Sequence, residues 1–328
     1  MRRRDLLIAV LMPFVWSGHC PAQSQPDVRR IGLLSTLEPG DPQGRVLIEA
    51  FKEGLRERGW IIGRNLIIEE RYTGARTQLL GQYASDLVQS KVELIVTHGT
   101  PPVEAARKVA PSLPIVFATI GDPVGAGLVA SLSRPGGNIT GLSLLASDLS
   151  TKRLELMKET IPSLDRVAML WNPANASLAL QLRETEAAAR SMGIGLISLP
   201  VQAAADLDPA IKDAYEQRAG AIITTSDNMQ VSRRMQIVES AMQYKLPVIA
   251  EYREIAEAGA LLSYGPSRKD SWRRSAAYVD RILRGSAPAD LPVEQPARFE
   301  LVLNRKSAKR LSIEPPRTIL VRADEVIE

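Results

Sequence analysis

The chain has 328 residues, 45% hydrophobic and 24% charged, enough apolar material for more than one buried core. Its 41 Lys and Arg against 37 Asp and Glu give a formal charge of +4. Setting Arg2, Arg3, Arg4 and Asp5 aside leaves 38 against 36, and with aromatics at only 5% nothing points to a nucleic-acid partner.

Residues 1–22 have the layout of an export signal: basic Arg2-Arg3-Arg4, an apolar run from Leu6 to Trp16, and Cys20-Pro21-Ala22 as a small-x-small cleavage site. The apolar run is too short to anchor the chain across a bilayer. Arg3-Arg4 leaves both the general and the twin-arginine export routes open. His19 directly before Cys20 favours cleavage after Ala22 over lipid attachment at the cysteine, so a periplasmic location is expected. Cleavage there removes the single cysteine and one of two histidines, leaving only His98. Cysteine nucleophiles, disulfides and Cys/His metal sites are thereby excluded. No G-x-S-x-G or G-x-x-x-x-G-K-[ST] segment occurs, and no enzyme activity is expected.

After the signal, strands and helices alternate. Strands are predicted at Ile31–Leu34, Asn65–Glu70, Leu94–Val96 and Pro114–Ala118, with helices at Val46–Arg58, Thr77–Gln89 and Pro101–Val109 between them. Such alternation argues for a parallel sheet covered on both faces. The turn-rich run Arg134 to Gly141 leads into a short β segment and a first crossover, and a helix at Leu149–Thr160 opens a second unit. There Val167–Leu170, Ala221–Thr224 and Leu246–Ile249 repeat landmarks of the first unit at offsets between 127 and 136 residues. This repetition predicts an α/β protein of two doubly wound, Rossmann-like parallel-sheet lobes.

Residues 251–259 read as a return crossover, Ala260–Tyr264 as a strand and Trp272–Leu283 as a helix of the first lobe. The Pro-rich stretch 287–296 leads to a last strand at Phe299–Leu303, and the tail closes at Ile319–Arg322. The expected division is 29–143 with about 259–286 as one lobe, and 144–258 with about 287–328 as the other. They are joined by a hinge of several crossings.

Ligands of open α/β sheets sit beyond the carboxyl ends of strands. That rule selects Ser35 and Thr36; Thr97, His98, Gly99 and Thr100, the last as cap of a helix begun by Pro101; and Thr119 and Asp122. In the second lobe it selects Trp171, Asn172, Asp227 and Asn228, with Tyr264 as a further apolar contact. These hydroxyls and amides suit a small polar solute or zwitterion. A ligand carboxylate would take donors near Thr97, Gly99, Thr100 or Thr119, and an ammonium would face Asp227 or Asp122. Helix capping competes for each hydroxyl and for Asp227, and local turn bonding competes for Asp122. Gly121, Gly125 and Gly127 do not form a dinucleotide fingerprint, so no cofactor is expected.

The runs Thr97–Pro101, Pro114–Ala118, Gly121–Val129 and Ser133–Gly141, with Tyr264-Gly265, Tyr278–Gly285, Leu291–Pro296 and Phe299–Val302, carry a family resemblance. Over nearly all of residues 29–328 the chain resembles ABC-transporter substrate-binding proteins related to tryptophan/tyrosine uptake systems. The resemblance implies a type I periplasmic binding fold, closing by a hinge on a small-molecule solute such as an aromatic or branched amino acid. It also implies delivery to an ABC permease whose ATPase is a separate subunit, with the binding protein itself monomeric. The alternative from another class is an exported ligand-sensing domain docking on a membrane receptor. An exported α/β enzyme using His98 or Asp227 as base would need a nucleophile or metal partner that the sequence does not supply.

Overall fold

The computed structural model describes residues 28–328 apart from 39 and 75; the export signal expected at 1–22, with Cys20, lies outside the described residues. The first sheet is built from β1 (Arg29–Ser35), β2 (Leu66–Tyr72), β3 (Ile95–Thr97), β4 (Ile115–Ile120) and β5 (Ile139–Ser143), all parallel, in the order β2-β1-β3-β4-β5. Ile31, Leu33, Val96, Val116 and Phe117 are fully buried, because helices cover both faces of the sheet. Between the strands run α1 (Pro42–Arg56), α2 (Leu80–Gln89) and α3 (Thr100–Val109). Helix α1 starts a turn before the predicted Val46, because Asp41 caps it by accepting from Gln43 N and Pro42 fits the first turn.

The second unit contains α4 (Asp148–Thr160), β6 (Arg166–Trp171), α5 (Ala176–Ser191), β7 (Gly195–Pro200), α6 (Leu207–Glu216), β8 (Ile222–Ile223), α7 (Asn228–Ser232), α8 (Arg234–Gln243), β9 (Val248–Ala250) and α9 (Arg253–Ala258). It is completed by β10 (Leu262–Gly265), β11 (Glu300–Asn304), α11 (Arg305–Arg310), α12 (Arg317–Arg322) and β12 (Glu325–Ile327). Its sheet runs β12-β11-β10-β9-β8-β6-β7, with only β10 and β11 antiparallel. The order β7-β6-β8-β9-β10 reproduces β2-β1-β3-β4-β5, so the repeat expected from the sequence is a repeat of topology.

That correspondence corrects two expected boundaries. The strand at 260–264, expected in the first lobe, is β10 of the second sheet, where it takes the place that β5 holds in the first. Residues 251–259 are accordingly no crossover; they carry α9 (Arg253–Ala258) within the second lobe. The return occurs at 266–267, ahead of α10 (Arg268–Leu283), which packs on α1 with Trp272 set edge-on to Phe51 at 6.4 Å. Gly54 is required here, since a β-carbon would strike the Arg273 carbonyl. Residues 291–294, expected in the second lobe, line β5 instead: Ser143 N donates to Glu294 O at 2.9 Å and Glu294 N to Gly141 O at 3.0 Å.

Candidate functional site

The carboxyl ends of both sheets face each other, and the lobes are in contact along this seam. The Thr100 hydroxyl lies 3.1 Å from Ser177 Oγ, itself bound to Asn175 Oδ1 at 2.9 Å. Gly99 holds φ +75, and a β-carbon built on it would lie 2.6 Å from Asn228 Nδ2 of the opposite lobe. A β-carbon on Gly121 would meet Ser226 Oγ at 2.9 Å. Thr100 was the expected cap of α3; the capping position belongs to Gly99, and the Thr100 hydroxyl is spent across the seam.

On the first lobe, β1 and β3 end side by side, which brings Ser35 and Thr36 to His98. Thr36 N donates to His98 Nε2 at 3.3 Å, so Nε2 is an acceptor, and the Ser35 hydroxyl donates to it at 2.9 Å. The neutral imidazole therefore carries its proton on Nδ1. Nδ1 has no hydrogen-bond partner of good geometry, although the Asn228 side chain faces the ring. Burial, with the Arg268 charge adding to it and Asn228 opposing, pushes the imidazole down to about 3. The hydroxyls of Thr36 and Thr97 are buried without partners, and Thr119 is buried at the end of β4.

On the second lobe, Asp227 caps α7, accepting from Met229 N at 2.9 Å. Burial raises its carboxyl, while Met229, Asn175, Gln230 and Asn172 stabilise the charge. Its oxygens are thus occupied within its own lobe. Asn172 closes the following turn, its Oδ1 accepting from Ala174 N.

Three expected residues make their side-chain contacts within their own lobes. The Trp171 indole donates to Ser198 Oγ at 2.8 Å, towards the edge strand β7. Asp122 is a turn residue, accepting from Gly125 N at 2.8 Å beside a cavity of about 180 Å³. The Tyr264 ring packs 6.0 Å from Phe299, in the core of the second lobe, and only its carbonyl reaches the hinge.

A buried charge network at the hinge has little counterpart in the sequence pattern. Arg153, on α4, donates from Nε to Tyr264 O at 2.9 Å and from Nη1 to Ala146 O at 3.2 Å, so it ties together two of the crossings. Its Nη2 pairs with Glu251 at 3.4 Å, and Gln181 donates to the same Glu251 oxygen at 3.4 Å. Arg268 pairs with Glu254 at 3.5 Å and lies 4.8 Å from the centre of the Tyr252 ring. Burial raises the Glu251 carboxyl against the charges of Arg153 and Arg268, and its Oε1 has no partner. The strand-end rule selects Glu251, the first residue after β9. Arg153 carries no sequence signal, since an arginine within a helix reads as solvated.

The family model for ABC transporter substrate binding proteins matches residues 42–327. A tyrosine-binding protein of Clostridioides difficile (strain R20291) is 26% identical over 267 residues, covering 81% of this chain and 76% of its own length. A conserved domain protein from Vibrio cholerae superposes with a TM-score of 0.86 at 28% identity, covering 91% of this chain and 99% of that one. An ABC domain from Streptococcus pneumonia solved in complex with L-Trp also gives 0.86, at 25% identity and 92% and 100% coverage. With the family match spanning both lobes, the chain belongs to the ABC transporter substrate-binding proteins and is the solute-binding component of such a transporter.

Proposed function

We propose that the solute is a zwitterionic α-amino acid, aromatic or branched, held in the seam between the lobes. The observation that carries this reading is the set of buried polar atoms without protein partners. Among them, the Thr36 and Thr97 hydroxyls and His98 Nδ1–H, which the Asn228 side chain faces without a hydrogen bond of good geometry, are on the first lobe, and Glu251 Oε1 is on the second. Leaving such groups unpaired costs about 1–3 kcal/mol each, so a ligand that pairs them draws the lobes together. Three donors on one side suit a carboxylate. Glu251, with Oε2 held by Arg153 and Gln181 but Oε1 open, suits an ammonium better than Asp227, bonded within its own lobe, or Asp122, whose Oδ1 closes a turn on Gly125 N. Relatives described with L-Trp and as tyrosine-binding support the same class.

The receptor works as an exported, periplasmic, monomeric protein that hands its solute to a permease driven by a separate ATPase. The leader-like residues 1–22 support export. Among the described residues, no helix is long and apolar enough to cross a membrane. Ser35 and His98 stand at the spacing of a nucleophile and its base, but the chemistry is wrong for catalysis. An imidazole pushed to about 3 is too weak a base, Nδ1 faces an amide instead of a carboxylate, and Ser35 Oγ also accepts from Leu37 N.

A melting-temperature series on the exported chain tests the ligand class, with L-tryptophan, L-tyrosine, L-leucine, glucose and uridine as probes. An amino acid that binds only the folded protein raises the transition progressively, by about 2.7 kcal/mol of stability at a hundredfold excess over Kd. A response to glucose or uridine alone, or to none of the five, refutes the amino-acid assignment.

A further inference from the structure

Asp41, at the start of α1 in the first lobe, and Arg234, at the start of α8 in the second, meet across the mouth of the seam. Arg234 Nη2 donates to Asp41 Oδ1 at 2.8 Å and Nη1 to Oδ2 at 3.2 Å, a bidentate pair between residues 193 apart in sequence. The two side chains are only 15% and 12% exposed, which limits screening by salt. Beside them Gln43 donates to Glu257 Oε2 at 3.1 Å, also from lobe to lobe. Burial opposes ionisation of Asp41, but the hydrogen bond and charge of Arg234 outweigh it and lower the carboxyl. Neither residue is among the unpartnered groups assigned to the solute.

We propose that Asp41 and Arg234 form a latch, made only when the lobes close, that sets how long a bound solute stays without touching it. The proposal rests on the hinge-closing reading above. Planar bidentate pairing fixes the closing angle as well as adding attraction, because both N–H···O bonds are lost once the lobes separate. Asp41 also caps α1, so the informative substitution is Asp41→Asn, whose side-chain oxygen still caps while the ion pair is gone.

Spin labels on the two lobes of the exported chain report the closed fraction by their distance distribution. Without ligand, Asp41→Asn and Arg234→Gln are each expected to lower the closed-to-open ratio roughly two- to fivefold, the range of an isolated ion pair. The double variant should be no worse than either single one, and Arg234→Lys should restore part of the loss. Coincident distributions across these proteins, additive effects in the double variant, or a wild type with no closed population to lose overturn the latch. L-tryptophan and L-tyrosine are then added. If neither closes any of the proteins, the amino-acid assignment fails, while the ligand-free comparison still decides the latch. If one closes the wild type, its dissociation rate should rise by the same factor in Asp41→Asn.

Discussion

The hydroxyls of Thr100 and Ser177 lie 3.1 Å apart across the boundary between two lobes that share one strand order. Gly99 precedes Thr100, and its missing β-carbon leaves room for Asn228. Close polar contacts therefore line this part of the boundary, and small changes in volume there should act on the hinge.

Gly99→Ala tests this directly. The substitution strains a backbone held at φ +75 and ψ 157, a region essentially reserved for glycine, at about 1–3 kcal/mol, and places a methyl group against the Asn228 amide. A folded protein with a larger radius of gyration in solution scattering than wild type is expected. Unchanged scattering would show that the seam absorbs the methyl group.

Arg153 and Glu251 are buried together, with side chains 1% and 0% exposed. Arg153→Met should cost about 3–5 kcal/mol in urea unfolding, because it strands the Glu251 carboxylate and unties Ala146 from Tyr264. Combining it with Glu251→Leu should recover part of the loss. A double variant weaker than the sum of the singles would contradict the pairing.

Stability should fall with acidification in a way traceable to His98. The folded imidazole is pushed to about 3, whereas the unfolded one keeps its ordinary value near 6.5. Between these values the unfolded chain binds a proton that the folded one does not. Stability is thus fully present above about pH 6.5 and is lost towards pH 3, by up to about 1.4 kcal/mol per pH unit. The carboxyls of Asp227 and Glu251, raised by burial, act in the opposite sense, gaining stability as pH falls through their raised values. Comparison with His98→Gln isolates the histidine: wild type should lose melting temperature relative to the variant between pH 7 and about pH 5. Parallel pH profiles would refute the assignment.

Thr97 and Asp227 should separate binding from folding. Thr97→Val removes a hydroxyl that has no protein partner, so stability should change by less than about 1 kcal/mol, while solute affinity drops about tenfold or more. Asp227→Ala loses a helix cap and should destabilise by about 1–2 kcal/mol, whereas Asp227→Asn keeps the cap and the affinity. Calorimetry with the amino acid giving the largest melting shift reads both. Loss of affinity in Asp227→Asn at unchanged stability would return that carboxylate to the ligand.

The strands legible in the sequence are those buried on both faces. Ile31–Leu34 and Val167–Leu170 read as unbroken apolar runs because helices cover each side of their sheets. The strand-end rule then led to Ser35, Thr36, Thr97, His98, Gly99, Thr100, Thr119 and Asn228, all at the seam or beside it. Trp171 and Tyr264, selected by the same rule, instead pack within the second lobe, because strand side chains alternate between faces and a ring at a strand end points wherever its own core has room.

Sequence by itself determined the alternation of strand and helix, the internal repeat and the hydroxyl-rich character of the strand ends, since each is written in local composition and period. Tertiary structure alone decided that β10 joins the second sheet, that Asp227 is occupied by its own helix while Glu251 keeps one oxygen without a partner, and that Asp41 meets Arg234. These are contacts between segments far apart in the chain. A residue's pattern tells which face is apolar, but not which partner will satisfy its polar atoms once that face is buried.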